Sequence, residues 1–134
     1  MLGVPQLGGA GGLLSPTYLT SYREPRDGTL QLYIVDELYG ADGGNIWAAV
    51  LNESTAELTR LGSPVAAGGA GSCHVTVTPG GKHVLVANYL SGTVRAVERN
   101  PDGSLGGSAA LIELPAHTPL GVSFPRAAVS FPGP

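Results

Sequence analysis

The stretch SCHVTVTPGGKHVLVANY, residues 72–89, decides the fold of this 134-residue chain. Ser72-Cys73-His74-Val75-Thr76 leads into Pro79-Gly80-Gly81, and a second apolar run, His83 to Asn88, follows and ends on Tyr89. Proline pre-sets one backbone angle and glycine supplies positive φ, so the segment reads as strand, tight turn, strand. Downstream the pattern continues with Ser91-Gly92, a strand Thr93 to Glu98, the turn Asn100-Pro101-Asp102-Gly103, and Ser104-Leu105. A last strand is expected from Ala109 to Leu114.

Upstream, PTYLTSYREPRDGTLQLYIVDE, residues 16–37, is a diverged copy of the same unit. Pro16 to Thr20 lead to Arg26-Asp27-Gly28, and Gln31 to Asp36 form the apolar run, ending on Glu37. Gly43-Gly44, a strand Asn45 to Leu51, a polar turn Asn52 to Thr55 and Glu57-Leu58-Thr59 complete it. The offset drifts from 56 (Tyr18 to His74) through 52 (Asp36 to Asn88) to 48 (Ile46 to Val94). Insertions in loops account for such drift while the strands keep their order. Strand starts are expected near residues 17, 31, 45, 57, 74, 83, 93 and 109. Four-stranded antiparallel units repeating at 40 to 50 residues are the sequence signature of propeller blades. The fold class is therefore all-β: a partial β-propeller of two four-stranded antiparallel blades. Residues 15–63 are read as the first blade and 64–114 as the second. A Gly-rich flexible start (1–14) and a Pro-rich irregular tail (115–134) flank them. One competing signal is Ser54-Thr55-Ala56-Glu57, which fits a helical capping box running into Ala56 to Leu61. The equivalent segment of the second copy holds Pro101 and Gly103, which favours turn and strand.

Composition agrees. Gly (21) and Pro (11) fill about a quarter of the chain, roughly double their usual share, while charged residues are only 13%. Disordered charged tails are excluded, because they need high charge and few apolar groups. The seven basic residues are scattered and the net charge is −3, so no basic stripe offers itself to nucleic acid or an anionic membrane surface. No apolar run is long enough for a membrane span. Residues 1–14 carry neither Lys nor Arg and lack the pattern of a signal peptide, so a cytoplasmic location is expected. One cysteine excludes an internal disulfide, and three histidines plus Cys73 at these spacings do not make a metal set.

Four residues stand where chemistry is possible. His74 opens a strand bordering the expected central channel, where an imidazole acts as general base or donor. Glu37 ends a buried strand at a corner on the same rim, and Asn88 and Tyr89 hold the equivalent corner one blade later. Amide and phenol groups there can bind a polyhydroxylated ligand. The bland alternative for each is a side chain that ties a corner down or faces solvent. Cys73 is expected in the core, on the opposite face from His74, because consecutive strand residues alternate.

Gly68-Gly69-Ala70-Gly71-Ser72-Cys73-His74, Pro79-Gly80-Gly81, Val86-Ala87-Asn88-Tyr89, Gly92-Thr93-Val94 and Asp102-Gly103-Ser104-Leu105, in this order, resemble the propeller-type 6-phosphogluconolactonases, a lactonase family of seven-bladed propellers. Tyr33-Ile34-Val35-Asp36-Glu37 resembles the corner of the preceding blade, with Asp36 in place of the family's Asn. The resemblance spans residues 15 to 114, about two blades. It implies a 6-phosphogluconolactonase-like sugar-lactone hydrolase with Glu37 and His74 catalytic, Asn88 and Tyr89 substrate-binding, and neither metal nor cofactor. The implied partner is a small sugar lactone. The family's next blade opens with an acidic-Gly-Pro-His-x-His stretch. Here Pro115-Ala116-His117-Thr118-Pro119 stands instead, so the chain reads as a truncated member, weakly active or inactive. The alternatives are a non-catalytic propeller fragment that self-associates through its open blade edges, and a relative of the carboxymuconate-lactonising branch.

Overall fold

A computed structural model of the chain describes residues 15–37 and 43–114. The expectations for residues 1–14 and 115–134 lie outside them. Nine strands form: β1 (Pro16–Arg23), β2 (Leu30–Asp36), β3 (Asn45–Asn52), β4 (Glu57–Arg60), β5 (Val65–Ala66), β6 (Ser72–Val77), β7 (His83–Asn88), β8 (Thr93–Arg99) and β9 (Leu105–Glu113). Among the described residues there is no helix. The strands build two antiparallel sheets, β1-β2-β3-β4 with β5 also on β3, and β6-β7-β8-β9. These are two blades of a propeller.

The outermost strand differs between the blades. In the first it is broken: β4 pairs with Ala49 to Asn52 and β5 with Asn45 and Ile46. Gly62, at φ 71°, and Pro64, which has no N–H to give a ladder, separate the pieces. In the second blade the expected start at Ala109 is corrected to Leu105. Gly106-Gly107 does not interrupt β9, because shifts of register against β8 between Ala96 and Arg99 absorb the extra residues. The turn-and-strand reading of residues 52–60 holds against the competing helical signal. Asn52 Oδ1 accepts hydrogen bonds from the backbone N–H of Ser54 (3.0 Å) and Thr55 (3.2 Å), and Ala56 takes φ 62°. A side chain that satisfies the backbone locally closes a turn instead of starting a helix.

The core lies between the sheets. Tyr33, Val35, Ile46 and Ala48 of the first blade pack with Val75, Val84, Val86, Val97 and Leu105 of the second. The continuous apolar run of β2 is buried on both faces, from Gln31 to Asp36. On its other face Ile34 joins Trp47 and Ala49.

Charge ties the blades at one rim. Arg99, at the end of β8, donates from Nη2 to Glu24 Oε1 (3.2 Å), from Nε to the Tyr33 hydroxyl (2.8 Å) and from Nη1 to the Gly81 carbonyl (3.1 Å). Its guanidinium also donates to Gln31 Oε1 and stacks over the Tyr22 ring at 4.3 Å. The Tyr33 hydroxyl in turn donates to the Gly103 carbonyl (2.6 Å), and Arg26 bridges from Glu24 (2.6 Å) to the Pro101 carbonyl. Hydrogen bonds from Arg26 and Arg99 hold the Glu24 carboxyl down at about 2.

Candidate active site at the opposite rim

Strand direction gathers the candidate residues at one end. β1 starts where β2 ends (Pro16 against Asp36), and β6 starts where β7 ends (Ser72 against Asn88). The two strand starts adjoin, because Thr17 Oγ1 donates to the Ser72 carbonyl (3.0 Å) across the blades. Glu37 follows β2 and is anchored by its backbone N–H to the Ser15 carbonyl (2.8 Å). Glu37, His74, Asn88 and Tyr89 therefore share the rim away from Arg99.

Both innermost strands carry a bulge at the same place. Thr17 is the extra residue between the pairs Pro16–Asp36 and Tyr18–Val35, and Cys73 between Ser72–Asn88 and His74–Ala87. A bulge breaks the two-residue alternation and re-aims side chains. Cys73 and His74 are consequently both exposed, which corrects the expectation that Cys73 sits in the core. The His74 ring meets the Tyr18 ring, with centroids 4.4 Å apart and planes tilted by 33°. Tyr18 was missed as a site residue. The signal was present, since Tyr18 is the repeat equivalent of His74 at an offset of 56.

Asn88 is buried under this rim. Its Oδ1 accepts from Ser72 Oγ (2.7 Å), and its Nδ2 donates to the Ala67 carbonyl (2.8 Å) and Thr93 Oγ1 (3.0 Å). In this arrangement Asn88 acts through the segments it ties. Gly69 crosses directly above the corner, where a Cβ would lie 2.6 Å from Thr93 Oγ1 and 3.0 Å from Asn88 Cβ. Only glycine allows that approach. Tyr89 is 64% exposed, and its backbone N–H donates to the Gly71 carbonyl (2.9 Å). The result is an open rim with a carboxylate, an imidazole stacked on a phenol, and a second phenol. Among the described residues, no three His, Cys, Asp or Glu side chains gather as a metal cluster.

Residues 4–123 match the family described as lactonase, 7-bladed beta-propeller. The chain belongs to this lactonase family. A provisionally named 6-phosphogluconolactonase from Bacteroides fragilis superposes with a TM-score of 0.70 at 25% identity, over 86% of this chain and 30% of that one. One from Bacteroides uniformis gives 0.69 at 29% identity, over 87% and 31%. The periplasmic gluconolactonase of Pseudomonas aeruginosa, at 0.57 and 21% identity over 81% and 28%, shares the fold. The chain thus spans under a third of the length of these structures. No protein of curated function matches it.

Proposed function

We propose that the chain carries part of a sugar-lactone-hydrolysing site of the 6-phosphogluconolactonase type. The supporting observation is that a lactonase-family chain brings Glu37 and His74 to one open rim. In the proposed reaction, water attacks the ring ester carbonyl and its proton passes to the Glu37 carboxylate or the His74 imidazole. The ring C–O bond then breaks, the ring oxygen takes up a proton, and a hydroxy acid leaves. Tyr89 offers a phenol to substrate hydroxyls, and Asn88 holds the Ser72 and Thr93 segments that frame the rim. Arg99 does not serve a substrate phosphate, because it is occupied at the far rim.

The test is hydrolysis of 6-phosphogluconolactone with protein in excess, measured against spontaneous ring opening. A slow rate above the spontaneous one is expected, falling roughly 100-fold or to the spontaneous rate in His74→Ala and in Glu37→Gln. A rate equal to spontaneous opening, or one that His74→Ala leaves unchanged, overturns the assignment.

A further inference from the structure

The rim away from Glu37 and His74 carries a concavity of its own. Strands β1, β6 and β8 all end there, so the three turns that follow them, residues 24–29, 78–82 and 100–104, converge. Between them lies a cavity of about 310 Å³. That is the size of a small-molecule site. Its buried side is fixed in place. The side chains of Arg99 and Glu24 are only 4% and 5% exposed, and Arg99 donates to Glu24, Gln31, Tyr33 and Gly81. Gly81, at φ 74°, lets the β6–β7 turn close onto Tyr22, because a Cβ there would fall 2.3 Å from the Tyr22 hydroxyl oxygen.

The open side carries donors that nothing in the fold uses. Arg26 spends Nη2 on Glu24 Oε1 (2.6 Å) and on the Pro101 carbonyl. Its Nε and Nη1 make no hydrogen bond among the described residues, and neither does Lys82 Nζ, on an exposed side chain of the β6–β7 turn. Three cations (Arg26, Lys82 and Arg99) and one carboxylate (Glu24) line the cavity, a net charge of +2. The Glu24 carboxylate is already held by both arginines. Asp27 and Asp102, on the same turns, lie outside the lining and accept from Thr29 and Ser104 instead. Pro25 and Pro101 add apolar wall beside these charges.

We infer that this inter-blade cavity binds a phosphate group, either the free ion or the terminal phosphate of a small molecule. A phosphate dianion neutralises the lining charge, whereas a carboxylate neutralises half of it. Its oxygens accept from the open N–H groups of Arg26 and from the Lys82 ammonium, which acts as a point charge. Arg99 contributes its charge from the buried side and needs no new hydrogen bond. The two proline rings leave an apolar flank for a carbon skeleton attached to the phosphate. The cavity lies at the opposite end of the strands from Glu37 and His74 and is formed wholly between the two blades. It therefore stands independently of the hydrolytic reading.

Backbone amide chemical shifts of the full chain test this, with inorganic phosphate titrated against sodium chloride at matched ionic strength. Saturable shifts at Arg26, Gly80, Gly81 and Lys82 are expected, with a Kd of about 1 mM. Lys82 is exposed and holds no structural hydrogen bond, so Lys82→Glu keeps the wild-type spectrum elsewhere and weakens binding at least roughly 10-fold, while Lys82→Arg retains it. Glucose 6-phosphate and glucose separate the two sources. Tighter binding of the ester than of inorganic phosphate assigns a phosphorylated small molecule, and equal or weaker binding assigns the free ion. Shifts that sodium chloride reproduces overturn the inference, as does a Kd that Lys82→Glu leaves unchanged. Glucose moving the same amides as glucose 6-phosphate does so too, because the phosphate is then not what is recognised.

Discussion

Asp36 and Asn88 occupy the same corner of successive blades, and their neighbours explain why one is an acid and the other an amide. Asp36 accepts twice, from the Asn45 backbone N–H (2.6 Å) and from Trp47 Nε1 (3.2 Å). Asn88 must both accept and donate, because Ser72 Oγ and the Ala67 carbonyl face opposite ends of its side chain. Asp36→Asn turns an NH₂ group toward one of two donors, and a buried donor without an acceptor costs about 1–3 kcal/mol. Denaturant unfolding should show a loss in that range with the same m-value. Gly44 stands beside this corner because a Cβ there would fall 2.1 Å from the Asp36 carbonyl oxygen. Ala56 is the converse case, a side chain held at φ 62° in an exposed turn. The left-handed conformation costs an alanine roughly 1–2 kcal/mol, part of which glycine returns as chain entropy. Ala56→Gly should stabilise the fold by about 0.5–1 kcal/mol, measured the same way.

At the scale of elements, one carboxylate, Glu24, takes part in the ties among the β1–β2, β6–β7 and β8–β9 turns by accepting from Arg26 and Arg99. Glu24 is held at about 2 in the folded chain, against roughly 4.3 when unfolded. A depressed carboxyl pKa stabilises the fold above the unfolded value, and the contribution is lost as pH falls from about 4.3 toward 2. Thermal melts should therefore drop across that window, and Glu24→Gln should flatten the drop while lowering stability at neutral pH. Little of this was legible beforehand. Turn residues and apolar runs exposed the strands, because tight turns and period-2 burial leave local marks on composition. The ties of Arg99 to Glu24, 75 positions away, leave none. The register shifts that keep β9 continuous through Gly106-Gly107 depend on β8, a partner strand, and so were invisible as well. The candidate rim was legible in its residues but not in its geometry. The bulges that turn Cys73 outward and set His74 against Tyr18 follow from pairing with β7 and β2, not from the alternation of β6 itself.

On the scale of the whole molecule, polar links join the blades at both rims. Arg99 reaches Glu24, Gln31 and Tyr33, Arg26 reaches Pro101, Tyr33 reaches Gly103 and Gln31 reaches Asp102, all at one rim. At the candidate rim, the Thr17–Ser72 hydrogen bond and the Tyr18–His74 ring contact join the blades. Gly44 and Asn88 are also joined through Ala67, whose N–H donates to the Gly44 carbonyl (2.9 Å) and whose carbonyl accepts from Asn88 Nδ2 (2.8 Å). The two blades are thus bolted at both ends of their shared face, like a plank fixed at either end, and the loss of the Glu24 carboxylate in acid leaves the far fastening in place.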